Sequence, residues 1–166
     1  MERLDFLRFR RSVRLFQDKA IARSELEKIV DCARFAPTAR NIQPWEFVVV
    51  TENMKLKELA GLADNGRFLA QAAACIAVFC NDTKYYLEDG CAATCNLLLA
   101  AFALGIGSCW IAGDKKPYCQ QVGFLLGVPE NMKLVSLVAL GYPQEKDIFK
   151  TAPKKELRQI LHWERF

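Results

Sequence analysis

One histidine in 166 residues leaves little of the chemistry that proteins build on imidazole. His162 stands near the C-terminus, where a surface or capping role accounts for it, and no Ser-His-Asp triad can be assembled around it. Paired cysteines are missing as well. The seven cysteines, at 32, 75, 80, 91, 95, 109 and 119, are odd in number and mostly sit in apolar runs such as "CIAVFC". They read as reduced thiols packing like small hydrophobes in a reducing cytoplasm. Cys91 and Cys95 are one helical turn apart, but no second Cys or His pair stands at zinc-site spacing, so no metal is expected. There is no Walker loop, no dinucleotide glycine fingerprint and no paired-carboxylate signature, and neither repeat, low-complexity tract nor linker divides the chain. Residues 1–166 are read as one domain.

Charge of one sign is also scarce. The net charge is +4, and the basic residues cluster only in "RFRRSVR" (residues 8 to 14) and "KTAPKKELR" (residues 150 to 158). Two local patches suit a discrete anion better than nucleic acid, which needs a continuous stripe. "MERLDFLRF" lacks the apolar core of a secretory signal. Residues 91 to 113 carry no charge and are long enough to span a bilayer, yet Thr94, Asn96, Ser108, Gly105 and Gly107 fit a helix followed by a buried strand. No membrane is expected.

What is present alternates between helices and buried strands. A short helix is expected over residues 2 to 8. Ser24 and Glu27 suggest a capping box for a helix whose face is Leu26, Ile29, Val30 and Ala33, and Pro37 ends it by restricting Ala36. "FVVV", "CIAVFC", "SCWI" and "KLVSLVALGY" read as strands too apolar for a sheet with one wet face. "MKLKELAGLA", residues 85 to 104, Pro117 to Leu126 and Lys155 to Trp163 read as helices. The central one is apolar all round and hints at a subunit interface.

Three stretches stand in order: "RRSVRLF", "APTARNIQPWEF" and "DGCAATCNLLLAAFALGIGSCWIAG". Together with "PKKELRQIL" they resemble the nitroreductase family of flavin mononucleotide (FMN) enzymes over nearly the whole chain. The resemblance implies an α+β, three-layer fold with a central mixed β-sheet flanked by helices, in an intertwined homodimer with flavin sites at its interface. It implies NAD(P)H as co-substrate and a nitroaromatic or quinone-like small molecule as electron acceptor. Dehydrogenation, dehalogenation or a flavin-delivery role on the same scaffold are the alternatives.

The same resemblance assigns residues, and their chemistry suits the roles. Arg10 and Ser12, with Arg11 beside them, offer a guanidinium fork and a hydroxyl to the flavin phosphate. Lys154 or Lys155, with Arg158 as a third choice, would reach the same phosphate. Arg14 would sit at flavin N1 and the C2 carbonyl, where a cation favours the reduced anion. The loop of Pro37, Thr38, Ala39 and Asn41 would lie along the ring from the other subunit, Asn41 pairing with the pyrimidine edge and Gln43, Pro44 and Trp45 returning the chain to the sheet. Ala112 and Gly113 would bring backbone N–H groups to flavin N5 and O4, and Arg67, in competition with Asp64 and Asn65, would contact the ribityl chain or pyrimidine ring. No side-chain acid or base is required. The short "DTKYYLE" connection and the early C-terminus imply that the helical cover and exchanged tail of larger members are missing.

Overall fold

The computed structural model describes residues 4–144 and 153–166; the expected helix start at residue 2 and residues 150 to 152 of the second basic cluster lie outside them. Strands β1 (Trp45–Val50), β2 (Ala74–Asn81), β3 (Gly107–Ala112) and β4 (Met132–Gly141) form one sheet in the order β1-β2-β4-β3. All three ladders are antiparallel, and the parallel component is the single bridge between Ser12 and Ser108.

The unbroken apolar runs of β2 and β4 put these strands in the middle, where both faces are covered. Cys75, Ala77 and Phe79 join Leu137 and Ala139 in a cluster with α3 (Asn53–Leu62), a 3-10 turn over Arg67–Gln71 and α5 (Cys119–Leu126). Ala74, Ile76 and Val78 join Val138 and Leu140 on the opposite face with α2 (Arg23–Ala33) and α4 (Tyr86–Ala103). A register shift between Val78 and Phe79 brings both Val135 and Ser136 to the α4 side. Thr94 spends its proton on the Gly90 carbonyl at 2.7 Å, so Ser136 donates to Thr94 across 2.8 Å.

Several expectations shift in detail. α2 starts before Ser24: the N-cap is Ala22, whose N–H donates to Glu25 at 3.2 Å. Glu27, expected to close the cap, instead pairs with Arg23 at 2.8 Å. α5 begins at Cys119 rather than Pro117, and Gly127 ends it with φ of 67°, the left-handed stop that glycine tolerates.

α4 buries Ala93, Leu97 and Ala101 completely. Its outer side is open: Cys95 and Ala103 are exposed and Leu104, just past its end, is 37% exposed. A single chain therefore does not bury this helix all round. Among the described residues no helix is long and apolar enough to cross a membrane, and no group of three or more His, Cys, Asp or Glu side chains is arranged to hold a metal.

The last expected helix, from 155 to 163, is reduced to a 3-10 turn over Leu157–Gln159, and residues 153–166 are all exposed. So short a helix depends on packing for its stability, and one chain gives it no surface to pack on.

Candidate active site

The residues after α1 (Asp5–Phe9) are stitched first onto the free edge of β3 and then onto the segment that follows β4. Val13 N–H donates to the Ser108 carbonyl at 2.9 Å, Gln17 N–H to Tyr142 at 2.8 Å, and Gln144 N–H to Leu15 at 3.0 Å. Val13 and Phe16 enter the core, and this crossing needs a bare backbone beneath it. A Cβ on Gly107 would stand 3.0 Å from the Val13 side chain. The intervening positions consequently face outward: Ser12 and Arg14 are exposed, while Arg10 and Arg11 are half-buried.

These four residues differ in what they already hold. Arg11 Nη1 donates to the Arg8 carbonyl and, at 2.9 Å, to the Arg10 carbonyl, so its guanidinium closes the end of α1. The Arg10 guanidinium and Ser12 hydroxyl have no partner among the described residues, which suits an external oxyanion. Arg14 lies over the Phe68 ring, 5.8 Å from its centre. Because Phe68 belongs to the Arg67–Gln71 turn, the contact brings Arg14 and the exposed Arg67 to one region.

β3 then carries the chain to a second cluster. Gly113 is buried so tightly that a Cβ would sit 2.7 Å from the Leu134 carbonyl oxygen. Its N–H, expected to face a flavin, is spent on the Val135 carbonyl at 3.1 Å. Antiparallel alternation turns the neighbouring Ala112 N–H away from β4, and Asp114 N–H has no acceptor among the described residues. The donors at this turn are thus those of Ala112 and Asp114.

The turn itself is held from three sides. Tyr118 Oη donates to the Ala112 carbonyl, Cys119 Sγ to Gly113 at 2.9 Å, and Tyr86 Oη to Asp114 Oδ1 at 2.6 Å. The Asp114 carboxylate accepting its proton pushes the Tyr86 phenol up to about 12. Burial raises the Tyr118 phenol and the Cys119 thiol, so both remain protonated donors at neutral pH. An elongated anionic ligand lying along β3 would meet cationic donors at one end and small residues with open N–H groups at the other.

The proline-bounded loop sits elsewhere. Thr38 Oγ1 donates to Asp89 Oδ2 at 2.8 Å and Ala39 N–H to Asp89 Oδ1 at 3.0 Å. Gln43 N–H donates back to Thr38 Oγ1 at 3.1 Å, and Gln43 Nε2 to Asn41 Oδ1 at 3.0 Å. Pro37 and Asn41 are exposed, while Thr38 and Ala39 are half-buried. Asp89 lies in the first turn of α4, whereas Arg10–Ser12 are fixed beyond its other end. Along the helix axis the two anchors are roughly 20 Å apart. Lys154, Lys155 and Arg158 lie on the exposed tail, and no hydrogen bond or ion pair from their side chains links them to Arg10 or Ser12.

The family model for the nitroreductase family matches residues 7–82 and 65–142. The chain belongs to the nitroreductase family. A protein of Archaeoglobus fulgidus, named by inference as an NADH dehydrogenase/NAD(P)H nitroreductase, is 37% identical over 99% of both chains. The FMN-dependent nitroreductase of Clostridium difficile superposes with a TM-score of 0.89 at 28% identity, covering 97% of this chain and 98% of that one. A protein of Desulfovibrio desulfuricans, titled a nitroreductase in complex with FMN, superposes with a TM-score of 0.85 at 26% identity, covering 98% and 96%.

In this member of the nitroreductase family the motif residues are held by Asp89, which opens the third stretch, and by four side chains outside the motifs. The sequence alone assigns no role to Asp89, Tyr86, Asp114, Tyr118 or Cys119. One of them had a signal: Asp89 is the last carboxylate before a long charge-free helix, and a buried acid must be answered by donors. The others are tied to backbone carbonyls or to each other across the fold and left none.

Proposed function

We propose that this chain is an NAD(P)H-dependent flavin oxidoreductase that holds FMN along β3 and reduces a nitroaromatic or quinone-like acceptor. The chemistry FMN supplies is two-electron transfer between a nicotinamide and such an acceptor. The observation that carries the reading is the uncommitted pair Arg10 and Ser12 on the same strand edge that ends in Ala112 and Gly113. Arg10 and Ser12 bind the phosphate, and Lys154 or Lys155 reaches it from the tail. Arg14, backed by Phe68, places a cation at flavin N1 and the C2 carbonyl, with Arg67 beside it. Ala112 and Asp114 offer N–H groups to N5 and O4, and Gly113 is small because the β4 backbone lies against it.

The working unit is a homodimer in a reducing cytoplasm, where all seven thiols stay unpaired. Support comes from three exposed apolar surfaces on one chain. They are the outer side of α4, Leu4 with the α1 residues Leu7 and Phe9, and the tail residues Leu157, Ile160, Leu161, Trp163 and Phe166. In the dimer the loop of Pro37, Thr38, Ala39 and Asn41 completes the site of the partner subunit.

The purified protein should be yellow, release FMN on denaturation and, with dioxygen removed, oxidise NADH or NADPH only when a quinone or nitroaromatic is supplied. Arg10→Ala and Asn41→Ala chains, each poor at holding flavin, should regain about a quarter of the sites when mixed in equal amounts, because random exchange makes about half of the dimers heterodimers and one of the two sites in each is intact. Colourless protein that cannot be reconstituted with FMN overturns the reading; flavin binding without turnover on either nicotinamide reduces it to a binding protein.

A further inference from the structure

We propose that Asp89 is a positioning residue: from the first turn of α4 its carboxylate latches the Thr38–Gln43 loop into the backbone shape that presents Asn41 to the flavin. Asp89 is only 5% exposed and forms no ion pair among the described residues. Each of its oxygens takes one donor from the loop, Thr38 Oγ1 at 2.8 Å and Ala39 N–H at 3.0 Å.

What the latch holds is a backbone that does not rest there by itself. Arg40, Asn41 and Gln43 have φ of 55°, 58° and 52°, the left-handed region that side chains with a Cβ disfavour. Three such residues within four positions persist only when their surroundings fix them. The fixing is sequential: Asp89 orients the Thr38 hydroxyl, and that hydroxyl accepts Gln43 N–H at 3.1 Å. Gln43 then donates to Asn41 Oδ1 at 3.0 Å, leaving the Asn41 amide N–H groups without a partner among the described residues. A hydroxyl has one proton, and Thr38 has spent it on Asp89. Thr38 therefore shapes the loop and does not donate to a flavin.

The inference rests on the flavin reading, and its test separates the two. FMN titration of the apoproteins is paired with amide exchange of residues 38–43 in the absence of flavin. Asp89→Ala should weaken FMN binding tenfold or more and accelerate loop exchange by a similar factor. Asp89→Asn keeps an acceptor for Ala39 N–H, and Thr38→Ser keeps the hydroxyl, so both should recover most of the affinity lost in Asp89→Ala and Thr38→Val. The double variant Asp89→Ala/Thr38→Val should be no worse than Asp89→Ala alone, as expected of two groups in one chain of bonds. Wild-type apoprotein that binds no FMN refutes the flavin reading, while loop exchange still decides the latch. Unchanged exchange in Asp89→Ala, or losses that multiply in the double variant, overturns the latch. If Asp89→Ala does not fold, Thr38→Val against Thr38→Ser decides on the same two measurements, and equal affinity and exchange in that pair overturns it.

Discussion

Trp163 offers a test of the dimer that the isolated chain makes unusually clean. Its side chain is 78% exposed, so removing it costs one chain almost nothing; surface changes of this kind stay within about 0.5 kcal/mol. An aromatic side chain of this size buries about 150–250 Å² when covered, and at about 25 cal/mol per Å² a partner that covers the exposed fraction gains about 3–5 kcal/mol. Ordering of the tail takes back part of this, at about 0.5–1.5 kcal/mol per immobilised side chain. The remainder is about 2–4 kcal/mol per tail, and with two tails in the dimer about 4–8 kcal/mol, which corresponds to a dimer dissociation constant raised roughly 1,000- to 1,000,000-fold in Trp163→Ala.

Sedimentation equilibrium over a concentration series measures that constant directly. Fluorescence supplies an independent check, because Trp45 is buried and Trp110 half-buried in the single chain. Diluting wild type through its dissociation constant should shift emission to the red, and the shift should be largely lost in Trp163→Ala. A dissociation constant within threefold of wild type, with the same dilution shift, would refute the assignment of the tail to the partner subunit.

Other consequences follow from single contacts. Arg14→Ala should lower the two-electron potential of bound flavin by about 30–60 mV, since a charge-assisted hydrogen bond is worth about 1.5–3 kcal/mol and about 30 mV corresponds to about 1.4 kcal/mol; Arg14→Lys should recover much of it, and redox titration within about 10 mV of wild type would remove Arg14 from the flavin edge. Gly113→Ala should lose about 1–3 kcal/mol in urea unfolding, because its Cβ meets the β4 backbone, whereas Gly61→Ala, on α3 with nothing within 4 Å, should gain about 0.5–1 kcal/mol. Burial pushes the Cys75 thiol from 9.0 up to about 12, so the unfolded chain ionises first as pH rises. The stability this thiol contributes is intact below pH 9.0 and falls by about 1.4 kcal/mol per pH unit up to about 12. Cys75→Ala should flatten that alkaline limb, and a slope identical to wild type in pH-dependent urea melts would show that the thiol is not a contributor.

The elements most legible in the sequence are those whose pattern is set by burial within one chain. "CIAVFC" and "KLVSLVALG" could be read as central strands because both faces must be apolar, and Leu26, Ile29 and Ala33 as a helix face because their spacing leaves no other use for them. Arg10 and Ser12 were expected to meet an anion from the resemblance and from the chemistry of guanidinium and hydroxyl, and both side chains lack a partner among the described residues. Legibility fails where a residue's partner lies far along the chain. Nothing near Gly113 in sequence says that the Val135 carbonyl will take its N–H. The tail fails for a different reason. Leu157, Ile160 and Leu161 have helical spacing, and the expectation of a helix over 155–163 assumed that the apolar stripe would find a core. In one chain it finds none, and the backbone relaxes to a single 3-10 turn. In the proposed homodimer this stripe would pack on the partner subunit, which accounts for an apolar pattern that one chain leaves exposed.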